Sequence, residues 1–407
     1  MKMLNNEKNA IKDLGNEIIK NKKFNGRRLQ IARVYRGKTI VDLSKDIGVS
    51  KQAISQFENG LTSPQFDTLM NIVNSLNFPR EYFFEQDTID VKLGNTYFRA
   101  QSRMTKKDEN RQKEKVKFVG KLYNFLNEYI EFPKLNLPEF EEDLSIEEKT
   151  IKLREYWNLG EEPIKDIIYV LEKNGIVVTA MKTESKEVDA FTQQQIINGN
   201  QYFIIVLGND KGSAVRRQFS AAHELAHIVI HDGFMNLEEL TNEEIRAMEN
   251  EAHAFAAAFL LPQSSFIKDI SSYPTNLDYY KQLKKKWRTS ISAMLVRANH
   301  LGVLNYNSYQ NMMKKMSKLG WRKEEPLDDT LIMSKPTVLR RAISILIDND
   351  ILNEDEIMIE LSRKELSLPR KEVENLLGLD EGILAPKQNE PSIKVIEMPV
   401  KKELKNK

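Results

Sequence analysis

The sequence predicts a mainly α, multidomain protein, with an all-α N-terminal unit, a central α+β core holding a small sheet, and an all-α C-terminal region. Three observations lead there. Apolar residues recur at helical spacing through residues 25–85 and 275–385, punctuated by capping residues and glycines. Runs with strand character fall only between residues 176 and 207. The chain is 407 residues long and 41% hydrophobic, which supplies more than one core.

Composition excludes several function classes. There is no cysteine, so disulfides, thiolate catalysis and cysteine-based zinc sites are ruled out, and a metal site must use His, Asp or Glu. No uncharged apolar run reaches the roughly 18 residues that cross a bilayer. The first ten residues lack the apolar stretch of a signal peptide, so a cytoplasmic location without a membrane partner is expected. Net charge is +2, yet residues 1–60 hold 13 basic against 6 acidic side chains, a bias that points to a polyanion.

Residues 1–24 read as a polar arm and 25–85 as packed short helices. Within these, Leu29 and Ala32 share a face of a first helix that Gly37 ends. Thr39 can N-cap a second helix carrying Leu43 inward, and Gly48 suits the left-handed turn that follows. Ser50 can cap a third helix with Ile54 and Phe57 in the core, which leaves Lys51, Gln52, Ser55 and Gln56 outward for phosphates and base edges. Leu69, Ile72, Val73 and Leu76 stripe a fourth.

This pattern resembles the Cro/repressor-type (Xre-type) helix-turn-helix family. The residues that carry the resemblance include Leu29-Gln30-Ile31-Ala32-Arg33, Ile47-Gly48-Val49-Ser50, Ile54-Ser55-Gln56-Phe57-Glu58-Asn59-Gly60 and Pro64. It implies double-stranded DNA as a partner, with Lys51, Gln52, Ser55, Gln56, Thr39 and Asn59 as the DNA-binding set, an Arg33–Glu58 ion pair, and a homodimer on two half-sites. Ile40 departs from the glutamine usual after the second helix's cap.

Residues 86–145 read as a mixed connector, with a charged helix over 103–117. A new unit spans 146–326. Its strands are expected at Ile176-Val177-Val178-Thr179-Ala180, Val188-Asp189-Ala190-Phe191-Thr192 and Tyr202-Phe203-Ile204-Ile205-Val206-Leu207, followed by helices over 214–231 and 242–261.

Four of the five histidines fall within about 30 residues, and His223-Glu224-Leu225-Ala226-His227 is an HExxH motif. Four residues along a helix put both imidazoles on one face, able to share one ion, with Glu224 beside them. The next helix brings Glu249 and Glu251. Two histidines and a carboxylate leave a fourth position open, the arrangement of a catalytic zinc.

The central unit resembles the ImmA/IrrE family of metallopeptidases. The resemblance rests on Val188-Asp189-Ala190-Phe191, the strand through Phe203, Arg217-Gln218-Phe219-Ser220-Ala221-Ala222-His223-Glu224-Leu225-Ala226-His227, His231, Glu251-Ala252-His253-Ala254-Phe255-Ala256, and Leu260-Leu261-Pro262. It implies a zinc-dependent endopeptidase with a gluzincin-like core that acts on a regulatory protein. His223, His227 and Glu251 become zinc ligands, with Glu249 the alternative to Glu251, and Glu224 the general base. His231 either supports a ligand or meets the helix C-terminus as a cation. His253 reads as a helix-face residue.

Residues 327–385 read as a separate helical subdomain, striped by Leu339, Ala342, Ile343, Leu346 and Ile347, and 386–407 as a disordered tail. The sequence therefore reads as a DNA-binding zinc peptidase that cleaves a partner repressor. Two alternatives are a DNA-binding regulator that senses without cleaving, and a toxin or phage-defence component of a toxin–antitoxin-like pair.

Overall fold

The computed structural model describes residues 22–86, 88–89, 91–98, 104–141, 143–183, 189–208, 212–231 and 239–386. Nearly all of the polar arm, the tail beyond residue 386, and Val188 lie outside the described residues.

The N-terminal unit is four helices, α1 (Gly26–Tyr35), α2 (Ile40–Ile47), α3 (Lys51–Glu58) and α4 (Phe66–Leu76), closed by a 3-10 turn over Arg80–Phe84. The caps act as the sequence implies. Thr39 and Asp42 form a reciprocal capping box at α2, and Ser50 Oγ accepts the Ala53 N–H at 3.1 Å to start α3. Between them Gly48 sits at φ +70°, where a side chain would strain the turn. Leu29, Ala32, Leu43, Ile54, Ile72 and Leu76 are all buried, and Arg33 meets Glu58 through two hydrogen bonds of 2.6 and 2.9 Å.

The connector is structural rather than a spacer. It supplies strand β1 (Val91–Phe98) and the 21-residue helix α5 (Lys106–Leu126). The charged start of α5 hides an apolar second half, where Val116, Phe118, Val119, Leu122, Phe125 and Leu126 are buried. Helix α5 crosses the sheet so closely that a Cβ on Gly120 would stand 2.0 Å from Gln195 Oε1.

After α6 (Ile146–Tyr156) and α7 (Ile167–Lys173) come β2 (Val177–Met181), β3 (Ala190–Ile197) and β4 (Asn200–Gly208). Four strands form one sheet in the order β1-β3-β4-β2, with β2 parallel to β4 and the other two pairings antiparallel. Asn198 and Gly199 both have positive φ, +49° and +84°, which makes the tight β3–β4 hairpin. Helices α8 (Ala214–Ile230), α9 (Asn242–Leu260), α10 (Gln263–Ile270), α11 (Leu277–Trp287), α12 (Ile291–His300) and α13 (Tyr306–Lys318) follow, then α14 (Val338–Asp348), α15 (Glu354–Arg363) and α16 (Arg370–Leu377).

The sheet divides two cores. Alternate strand residues point to opposite faces. Val178, Ala180, Ala190, Phe203, Ile205 and Leu207 pack with α8 to α13. Val177, Met181, Phe191, Ile204 and Val206 pack with α5, the helix-turn-helix and α14 to α16. The C-terminal helices are thus not a separate subdomain, because their apolar stripes have no core of their own. They bury against α5 and the sheet, and Glu372 takes hydrogen bonds at 2.5 Å from both Tyr35, the last residue of α1, and Arg36, which caps it.

Candidate metal centre

Helix α8 carries the HExxH residues on its inner side. His223, Glu224 and His227 are all buried, at 4%, 2% and 2% exposure. The helix N-terminus is pinned by Arg217, which donates to Gly208 O at the end of β4 (2.8 Å), and by Gln218, which donates to Ile164 O (2.8 Å). The Nε2 atoms of His223 and His227 lie 3.2 Å apart. Glu249 of α9 brings one oxygen to 3.5 Å from His223 Nε2 and the other to 3.7 Å from His227 Nε2. Among the described residues this trio is the group arranged to hold a metal, with its ligand atoms all within 4.8 Å of one another.

The donor set fits zinc. Bonds of about 2.0–2.1 Å in tetrahedral geometry separate two nitrogens by roughly 3.3 Å, close to the spacing found here. Burial, reinforced by His223, His231 and His253 nearby, holds the His227 imidazole well below its usual pKa, so it is neutral and able to ligate.

Glu251 is not at the centre, and this corrects the ligand expected from the sequence. At about 100° per residue it lies some 200° around α9 from Glu249. Glu249 heads the buried stripe Ala252, Ala256 and Phe259, whereas the Glu251 side chain is 48% exposed. Glu251 instead accepts from His231 Nε2 (3.3 Å), and His231 Nδ1 lies 3.0 Å from His227 Nδ1. With the His227 Nε2 lone pair turned to a metal, its Nδ1–H donates to His231 Nδ1, and His231 passes its own Nε2–H to Glu251. His231 is therefore a link in a hydrogen-bonded chain rather than a helix-terminal cation, and burial lowers its pKa.

Residues 171–299 match the IrrE N-terminal-like domain (Peptidase_M78), and residues 29–83 match a helix-turn-helix family (HTH_3). The chain joins a helix-turn-helix to an IrrE-like domain. No curated protein matches it. The first domain implies DNA binding, and the IrrE-like domain a peptidase-like regulator of a generally zinc-dependent family. No helix among the described residues is long and apolar enough to cross a membrane.

Around the IrrE-like centre lie Thr192 and Tyr97, to which the sequence gave no role, and His253, which it presented as a helix-face residue. Thr192 of β3, also buried, donates its hydroxyl to Glu224 Oε2 at 2.7 Å and so fixes that carboxylate. Tyr97 of β1 stacks on His227, with centroids 4.6 Å apart and planes 9° from parallel. His253 packs between Phe219 and His223 at 5.9 and 4.5 Å, facing the site rather than an outer helix surface. A signal for Glu249 existed in the stripe it shares with Ala252, Ala256 and Phe259. None existed for Tyr97, whose approach depends on a strand far away in sequence.

The helix-turn-helix presents Lys51, Gln52 and Gln56 exposed on α3, with Ser55 half-buried. Thr39 is exposed but committed to the α2 cap, and Asn59 Nδ2 donates back to Ser55 O at 2.8 Å.

Proposed function

We propose that this chain is a DNA-bound zinc endopeptidase that cleaves a regulatory protein, most simply a repressor held at the same DNA. The observation that carries this reading is the buried His223–His227–Glu249 triangle with Glu224 beside it. A zinc ion held there supplies Lewis-acid activation of water and of the scissile carbonyl. Glu224, oriented by Thr192, accepts the proton of the attacking water and returns it to the leaving amine. His231 and Glu251 fix the ring plane of His227. On the other side of the sheet, Lys51, Gln52, Ser55 and Gln56 of α3 meet the major groove. Sharing one chain raises the local concentration of peptidase around a DNA-bound substrate.

Elemental analysis of untagged protein tests the reading. About one zinc per chain is expected, lost in the His223→Ala/His227→Ala variant. Glu224→Gln keeps the metal and slows cleavage about 10²–10⁴-fold, the usual weight of a general base. Zinc-free wild type after resupply of the metal, or cleavage indifferent to Glu224→Gln, overturns it.

A further inference from the structure

Strand β1 occupies a position that the peptidase reading gives to something else. It pairs antiparallel along β3, the strand whose Thr192 holds Glu224. Without β1, β3 would be the edge of the sheet nearest the metal centre, with a row of backbone N–H and C=O groups open to an extended chain. Tyr97 stands directly opposite Thr192 in the ladder and lays its ring on His227. Its ring centroid is also 5.9 Å from that of His231, so it covers both the ligand and the residue that orients it. Tyr97 is itself only 6% exposed.

The register shows how this tyrosine comes to face the site. Leu93 is opposite Gln195 and Thr96 opposite Gln193, so Gly94 and Asn95 together face the single residue Gln194. That two-against-one bulge shifts the alternation by one residue. Unbulged, Thr96 would point at the metal centre. Bulged, Thr96 turns to the opposite face, where its hydroxyl accepts from Gln193 Nε2 at 2.6 Å, and Tyr97 takes its place over His227.

We propose that the β3 edge is the docking edge for an extended peptide presenting an aromatic side chain to the metal centre, and that β1 is its resident occupant. The protein rests in a self-blocked state and cleaves only when a competing strand displaces β1. This deepens the peptidase reading and rests on it for the cleavage, though not for the strand exchange. The resident strand is favoured because it is intramolecular, at an effective concentration of order millimolar. A substrate competes by supplying a longer ladder or a better-fitting aromatic residue.

The test uses full-length protein in a Glu224→Gln background, so that binding is read without turnover, and a fluorescein-labelled synthetic peptide with the sequence of Val91–Phe98. Thr96→Gly/Tyr97→Gly weakens the resident strand. Fluorescence anisotropy should show this variant binding the peptide at least about tenfold tighter than the chain with its own β1 intact. A peptide with glycine in place of its tyrosine should lose that gain. A second variant keeps the native pairing and so does not depend on a loosened strand. Because the chain has no cysteine, Thr96→Cys/Gln193→Cys places the only two thiols on directly opposed residues. Its oxidised form should refuse the peptide and its reduced form accept it. Equal binding by the oxidised and reduced forms, or no gain in the glycine variant with its circular dichroism unchanged, overturns the proposal. The same variants with Glu224 restored and zinc loaded separate the two readings. Peptide bound at the edge but never cleaved defeats the peptidase and leaves the docking edge standing. Cleavage that proceeds equally with β1 cross-linked leaves the peptidase standing and defeats the docking edge.

Discussion

The two faces of the sheet bury polar groups in opposite ways. On the face toward the helix-turn-helix, donors are met by acceptors. Gln195 gives its amide to Val116 O and to Gln193, Gln193 gives its own to Thr96, and Arg36 and Tyr35 converge on Glu372. Such networks fix position and ask for no ligand. On the face toward α8, two imidazole nitrogens and a carboxylate turn toward one another at 3.2–3.7 Å. Ring nitrogens and carboxylate oxygens that converge in a buried place are a donor set suited to a cation. Burial alone therefore does not mark a functional site, whereas the kind of partner the buried groups are arranged to take does.

The sharpest test of that contrast concerns the two glutamates of α9. Glu249→Gln should weaken zinc binding by well over about 100-fold, because it removes a charged ligand. Glu251→Gln acts only through His231 on His227, and should cost about 10–100-fold, the range for groups that orient a ligand. Competition with a chelator of known affinity reads both. A larger loss at Glu251 would return it to the metal and break the geometry described above.

Next in size is the mechanical separation of the two cores. Leu346 lies in the core shared with the helix-turn-helix, and Leu225 in the one beneath the HExxH helix, both fully buried. Truncating either to alanine should cost about 2–5 kcal/mol, measured by urea unfolding. At a temperature where both variants remain folded, Leu346→Ala should erode DNA affinity and spare zinc, and Leu225→Ala should do the reverse. Loss of both functions in both variants would mean that the sheet couples the cores rather than dividing them.

Much of this division was legible in the sequence. The helix-turn-helix followed from local signals, since caps such as Thr39 and Ser50, the turn at Gly48 and the stripe of Leu69 and Ile72 need no distant partner. The HExxH pair was equally local. What escaped were features set by tertiary pairing. Strand β1, interrupted by Gly94 and Asn95, has too little alternation to announce itself, and it exists because β3 offers an edge. The glutamines 193–195 made β3 look finished at Thr192, although all three are buried, Gln193 and Gln195 on the side of α5, and the hairpin turn Asn198-Gly199 was available as a sign that it continued. The helices of 338–377 looked autonomous because apolar stripes do not say what they face.

A pH experiment tests the helix-turn-helix side by itself. Glu85 is fully buried, 3.4 Å from Arg28, and accepts the Ser367 N–H at 3.1 Å, so it joins the N-terminal unit to the C-terminal helices. Burial pushes its carboxyl up from 4.5 to about 7, against the pull of Arg28. The folded state thus holds this proton more tightly than the unfolded chain does. The group's contribution is most favourable below about 4.5, declines as pH rises to about 7, and is flat above that. Glu85→Gln should remove this slope, worth at most a few kcal/mol by the order-of-magnitude conversion of about 1.4 kcal/mol per unit. Urea midpoints of wild type and variant at pH 5 and 8 measure it. A wild-type slope that survives the substitution would place the titrating group elsewhere.

The smallest expected effect lies furthest from the metal. Lys51 is exposed at the start of α3, and in the proposed DNA complex its ammonium would meet a phosphate rather than a base. Lys51→Ala should weaken binding to all DNA sequences alike and lower the salt dependence of log K by about one counterion. Gln52→Ala should instead blur the choice between sequences with little change in that slope, because an amide releases no counterion. Binding titrations across a salt series separate the two. Zinc content and peptide binding at the β3 edge should stay unchanged in both, because α3 and the metal centre lie on opposite sides of the sheet and share no core residue. If Lys51→Ala altered cleavage of a substrate free in solution, the helix-turn-helix would be acting on the metal centre through the sheet, and the connector that carries β1 would be the first path to examine.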